Sequence, residues 1–94
     1  MSLVKKIYFL TSQLPNDERF GLISQINRSC ISIPSNIAEG SGRTTEKEFS
    51  RFFEIAMSSS YELETQLILI SDLYKMKIED VIMDLKSIQF KKIT

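Results

Sequence analysis

Ninety-four residues, 43% of them hydrophobic, are enough for one small domain over residues 1–94, whose thin core would gain stability from association. Twelve basic residues balance twelve acidic ones and histidine is absent, which excludes a nucleic-acid or membrane surface built on overall charge and leaves such a role to a local patch. The single cysteine excludes an intrachain disulfide, in keeping with a reducing cytoplasm.

The run from Met1 to Leu14 is interrupted by Lys5 and Lys6 and has no convincing cleavage site, so no signal peptide is expected. No apolar run approaches the ~20 residues of a membrane span, and a soluble protein is expected. Leu3, Ile7, Leu10 and Leu14, at spacings of 4, 3 and 4, predict a first helix that Pro15 stops. Asn16 or Asp17 then caps a second helix, with Asp17 and Glu18 in the first turn, where the helix dipole favours acids. This helix is expected to reach about Glu39, with Gly40 as a left-handed C-terminal cap and Ser41 and Gly42 as a turn.

Inside the second helix, Pro34 has no N–H for the carbonyl of Cys30 and crowds it, a conflict of about 3 kcal/mol in an ordinary helix interior. Ile26, Cys30, Ile33 and Ile37 nevertheless keep one apolar face through it, which predicts a single kinked helix. Cys30 lies on that face and reads as a buried small hydrophobe, because no histidine exists to activate it. Thr45 and Glu48 form a capping box that opens a third helix, extending to about Tyr74. Phe49, Phe52 or Phe53, Ala56, Ser60, Leu63, Leu67, Ile70 and Tyr74 give it a 3-4 seam, on a rod of ~30 residues and roughly 45 Å. After a poorly marked loop near Met76 and Lys77, a fourth helix from about Glu79 to Phe90 presents Val81, Ile82, Leu85 and Ile88. The expected fold is all-α, an antiparallel up-down four-helix bundle with a short first helix, a proline-kinked second and a long third.

A straight hairpin of the second and third helices would pair residues whose numbers sum to roughly 86. That register sets Ser29 and Cys30 opposite Ala56 to Ser58, brings Arg28 near Glu54 or Glu62, and turns Glu39 toward Arg43, Lys47 and Arg51 as candidate ion pairs. The small Ser58, Ser59 and Ser60 would let the backbones approach closely. Beside the apolar face runs a polar stripe of Gln25, Arg28, Ser32, Ser35 or Asn36, and Glu39, for which solvated surface and a contact between subunits stand as even alternatives. Arg43, Lys47 and Arg51, spaced by four, are the candidate nucleic-acid contacts. Interleaved Glu46, Glu48 and Glu54 favour a solvated or ion-paired face there. Without histidine the Glu-x-x-His pairs of a ferritin-like di-metal site cannot be built, so no catalytic residue, metal, cofactor or small-molecule substrate is expected.

The segments Glu18-Arg19-Phe20-Gly21-Leu22, Ser32-Ile33-Pro34-Ser35-Asn36-Ile37-Ala38-Glu39-Gly40, Gly42-Arg43, Lys47-Glu48-Phe49, Arg51-Phe52 and Glu62-Leu63-Glu64-Thr65-Gln66-Leu67 resemble the "four helix bundle protein" family, also called the 23S ribosomal RNA intervening-sequence protein family. The likeness covers about Ile7 to Leu73, and the S-I-P-x-N-I-A-E-G element is its most specific part. It implies an up-down four-helix bundle of bacterial type, similar to the accessory variability protein of diversity-generating retroelements, and hence a ring-shaped homopentamer. In that relative the ring binds nucleic acid and a reverse transcriptase, so the implied partners are further copies of the chain and RNA or a nucleic-acid enzyme. Family members usually begin about a dozen residues earlier with a tryptophan-containing first helix. The first helix is therefore shortened here, and either a truncated start or a covering subunit would account for it. The expected function is a non-enzymatic, self-assembling scaffold or accessory factor in an RNA or nucleoprotein setting. The alternative is a purely protein-binding structural oligomer without nucleic-acid contact. Arg28, Ser32, Pro34, Ser35, Asn36, Glu39 and Glu62 are the expected oligomer or helix-packing residues.

Overall fold

A computed structural model describes residues 2–90 as four α-helices, with no strand among the described residues: α1 (Leu3–Thr11), α2 (Leu22–Ser41), α3 (Glu46–Tyr74) and α4 (Glu79–Phe90). Met1 and residues 91–94, the two ends of the expected 1–94 domain, lie outside the described residues. Ser2 opens α1 by accepting the Lys5 N–H on its hydroxyl. The helix ends at Thr11, earlier than the expected Leu14. The Gln13 and Leu14 N–H groups turn to the carbonyls of Leu10 and Thr11, and the Ser12 hydroxyl donates to the Phe9 carbonyl at 2.6 Å. Three-residue bonds of this kind tighten and close a last helical turn. Leu14 still reaches the core.

The second helix starts at Leu22 rather than at Asn16 or Asp17. Asn16–Glu18 form a separate 3-10 turn, in which the Glu18, Arg19 and Gly21 N–H groups bond the carbonyls of Pro15, Asn16 and Glu18. The Tyr74 hydroxyl donates to the Glu18 carboxylate, a contact made across the fold that raises the Tyr74 pKa. At the other end α2 continues through Gly40 to Ser41, and Gly42, with φ −87°, caps it through its N–H to the Glu39 carbonyl. Gly40 is therefore not a left-handed cap. A Cβ there would lie 3.0 Å from the Phe52 Cβ and 3.4 Å from the Phe49 carbonyl oxygen, so its missing side chain is what lets α2 and α3 touch. Pro34 sits inside the continuous α2, and two residues on the Asn36 amide donates to the Ser32 carbonyl at 2.8 Å.

Thr45 caps α3 as the capping box predicts, its hydroxyl accepting the Glu48 N–H at 3.2 Å. Twenty-nine residues at 1.5 Å each give roughly 43 Å, so this one rod sets the 43 Å long dimension of the molecule. It ends at Lys75, which takes the left-handed conformation at φ 56°.

Each helix packs on two others: α1 on α2 and α4, and α3 on α2 and α4. Their shared interior holds Ile7, Leu10 and Leu14, then Ile26, Cys30 and Ile33, then Leu63, Leu67 and Ile70, and finally Val81 and Leu85. Burial pushes the Cys30 thiol up to about 11, so it stays protonated at neutral pH, as a core hydrophobe should. Two side chains assigned to these stripes depart from the expectation, because Ile37 is 38% and Phe49 44% exposed. On the hairpin, Ser29 meets Glu62 and Ser32 meets Ser59, pairs whose numbers sum to 91 rather than 86.

Ionic contacts fasten the outer helices. Lys6 on α1 reaches Asp84 at 2.8 Å and Asp80 at 3.1 Å on α4, and these hydrogen bonds, Asp84 first, raise its pKa. On the other seam of α4, Glu64 accepts from Gln89 at 3.0 Å and from Lys86 at 3.0 Å, which lowers the Glu64 pKa. A carboxylate depressed in the folded state stabilises above its unfolded value of about 4.3 and loses that contribution as pH falls through the folded one. Urea midpoints are accordingly expected to drop on acidification below about pH 4.3, with a smaller drop in Glu64→Gln; equal acid sensitivity in both would place the loss on other carboxylates. Among the described residues, no helix is long and apolar enough to cross a membrane.

Candidate interaction surface

The polar stripe of α2 and the first half of α3 meet along one seam. Ser29 Oγ lies 2.7 Å from Glu62 Oε1 and 3.0 Å from the Gln25 carbonyl, and with one proton to give, the shorter charge-assisted bond to the carboxylate is the stronger. Glu62 is thereby engaged by a serine. Arg28 makes no ion pair with it or with Glu54. Its guanidinium instead donates to the Gln25 side chain at 2.6 Å, one turn back on its own helix.

One turn further along, Ser32 Oγ and Ser59 Oγ are 2.7 Å apart, and the Asn36 amide donates to Ser32 Oγ at 2.9 Å. The two serines form a hydrogen-bonded rung between the helices, and Asn36 holds Ser32 from within α2. Pro34 and Ser35 are exposed on the outer side of α2. Next to the rung, Arg51, Glu54, Ile55, Ser58, Ser59 and Glu62 line an open groove along α3.

The expected basic stripe is brought together only in part. Arg43 pairs with Glu39 at 2.8 Å and lies over the Phe52 ring, 4.8 Å from its centroid. Its charge is therefore largely occupied, by a surface ion pair worth at most about 1 kcal/mol and by the ring. Lys47 and Arg51 stay exposed and border a second groove, but Glu48 and Glu54 border it too. The summed charge of that groove is zero, which is a poor phosphate site.

Three features had escaped the sequence reading. The first is the Gly40 contact. The second is the continuation of the core stripe beyond the outer helices: Phe49 and Phe53 stack with centroids 6.1 Å apart, and Phe49, Ile37 and Ile31 keep 38–44% of their surface exposed. The third is a cavity at the opposite end of the molecule, between α1, the 75–78 connection and α4. Spacing alone could have flagged only the second, since Ile37, Phe49 and Phe53 already lie on the predicted stripes.

Among the described residues no group of three or more histidine, cysteine, aspartate or glutamate side chains could hold a metal ion. The arrangement offers packing, hydrogen bonding and charge, with the Ser29 hydroxyl held on the Glu62 carboxylate. No curated protein matches the chain at a significant level. The family model for 23S rRNA-intervening sequence protein matches residues 1–90, nearly the whole sequence, so the chain belongs to that family.

Proposed function

We propose that this protein is a non-enzymatic, up-down antiparallel helical bundle that assembles with copies of itself and acts as a scaffold or accessory factor in an RNA or nucleoprotein setting. The family description supports the RNA setting. The observation that carries self-assembly is the part of the core stripe that stays exposed among the described residues. Gln89, near the described end of α4, bonds Ser60, so the α3 residues before Ser60 extend past that end. There Ile37 and Phe49 face outward beside the half-buried Phe53, an arrangement a second copy would cover at a hydrophobic gain of about 25 cal/mol for each Å² removed from water. The seam beside it, with Arg28, Ser35, Glu39 and Glu62, supplies polar contacts for the rim of such an interface.

Pro34 bears on the same reading. A bend at this residue would set the angle at which copies meet. Light scattering on the purified protein is expected to give a mass several times that of the 10.8 kDa chain, and a ring of five would fit the family likeness. Pro34→Ala is expected to keep its helicity while shifting that mass. A monomer at tens of micromolar would overturn self-assembly, and an unchanged mass in Pro34→Ala would remove the bend from it. The second reading, a protein-binding oligomer without nucleic acid, draws on the Glu48 and Glu54 interleaved with Lys47 and Arg51 and would be favoured by an oligomer that binds no RNA at low salt.

A further inference from the structure

Five surface concavities differ in the sign of their lining. The groove beside Arg51 carries Glu54 and Glu62, and the one beside Lys47 and Arg51 carries Glu48 and Glu54. At the hairpin turn Arg43 is offset by Glu46, and on the outer face of α3 the lone charge is Asp72. The cavity at the far end of the bundle has more basic than acidic residues in its walls. It measures about 750 Å³, and Lys6, Phe9, Tyr74, Lys75, Lys77 and Asp80 are among its walls.

Within that cavity the charges have separate fates. Lys6 is held by Asp84 and Asp80, so those three groups leave no positive excess. Lys75 and Lys77 are exposed, and among the described residues no carboxylate lies within 4.0 Å of either ammonium. Phe9, 64% exposed, presents a ring to the same space. With Glu18 held on the hydroxyl of the Tyr74 wall as an opposing acid, these two lysines and the exposed ring are still elements that grip a phosphodiester chain and stack one of its bases.

We propose that this end cavity binds single-stranded RNA, with Lys75 and Lys77 against the phosphates and Phe9 stacked on a base. The choice of RNA over another anion rests on the setting proposed above, and the cavity itself rests on geometry alone. A single strand fits better than a duplex, because an exposed ring can receive a splayed-out base, which a duplex keeps stacked inside.

Fluorescence anisotropy of a short labelled oligouridylate, read at low and at moderate salt on the full-length protein, tests this. The Lys75→Glu/Lys77→Glu protein is expected to bind about tenfold more weakly or worse, with the slope of log affinity against log salt reduced by about 2. Phe9→Ala is expected to lose roughly tenfold while keeping the wild-type slope. All three residues are at the surface, and circular dichroism will confirm that the variants fold. Wild-type affinity retained in both variants would overturn the site and leave the RNA setting standing. So would a loss confined to a Lys47→Ala/Arg51→Ala protein. No binding by the wild type would sink the site together with the RNA setting, while the mass by light scattering would still score self-assembly separately. Equal competition by polyglutamate, with Phe9→Ala silent, would assign the cavity to acidic protein segments and overturn the proposal as well.

Discussion

Leu63→Ala is expected to lower stability by about 2–5 kcal/mol, the cost of removing buried methyl groups and leaving a void behind them. Leu63 has no exposed surface and sits where α3 faces the interior shared with α1, α2 and α4. A domain of this length holds roughly 5–14 kcal/mol in all, so one such change consumes a large part of the margin. At fixed protein concentration the melting temperature should fall by roughly 10–30 °C. Phe20→Ala is the matched comparison: it deletes a larger side chain, but one that is 89% exposed, and its effect should stay within about 0.5 kcal/mol. Similar losses from both would mean that the interior is not where the helices place it.

Gly40→Ala is expected to be the second-largest effect, and its sign is the informative part. In an open helix interior, alanine in place of glycine stabilises by about 0.4–1 kcal/mol. Here the new Cβ meets the Phe52 Cβ at 3.0 Å and the Phe49 carbonyl at 3.4 Å, both fixed to the backbone of α3 and unable to swing aside. The helices must separate by a few tenths of an ångström along a closely packed contact, and overpacking of that kind costs about 1–3 kcal/mol. A net loss of about 1–2 kcal/mol in urea unfolding is expected. A gain would show that α2 and α3 are further apart at that end than the structure places them.

Much of the fold could be read from local spacing. The capping box at Thr45 and Glu48 opens α3 where expected, and α4 has the predicted bounds, because caps and apolar periodicity act within one or two turns. The start of α2 was not legible in this way. Its acidic residues suit a helix N-terminus, but Tyr74, 56 residues away, captures Glu18 and leaves the segment as a tight turn. Gly40 was ambiguous for a related reason, since glycine suits a cap and a close contact equally, and only Phe52 from the facing helix decides between them.

The hairpin register differs for a geometric reason. In an up-down pair each side chain leans toward the N-terminus of its own helix, so touching residues carry higher numbers than the backbones level with them. The connection at Gly42–Thr45 also centres slightly later than a pairing sum of 86 implies. Both effects move the pairing the same way, and Ser29 consequently meets Glu62 instead of Arg28 doing so. Of the candidate site residues, the charged neighbours of Lys47 and Arg51 were visible in the sequence. The end cavity was not, because it combines α1, the 75–78 connection and α4, elements whose mutual alignment no local pattern encodes.

The bridges from Lys6 to Asp80 and Asp84 join residues 74 and 78 apart, whereas Ser29 and Glu62 on the hairpin are separated by 33. Each doubling of a closed loop adds about 0.6 kcal/mol of entropy cost, so closing the α1–α4 joint costs somewhat more than closing the hairpin. A guest lodged between Phe9 and Lys77 would span that joint. It would act as a clasp on that joint, and by mass action its occupancy would be felt as resistance of the entire chain to melting.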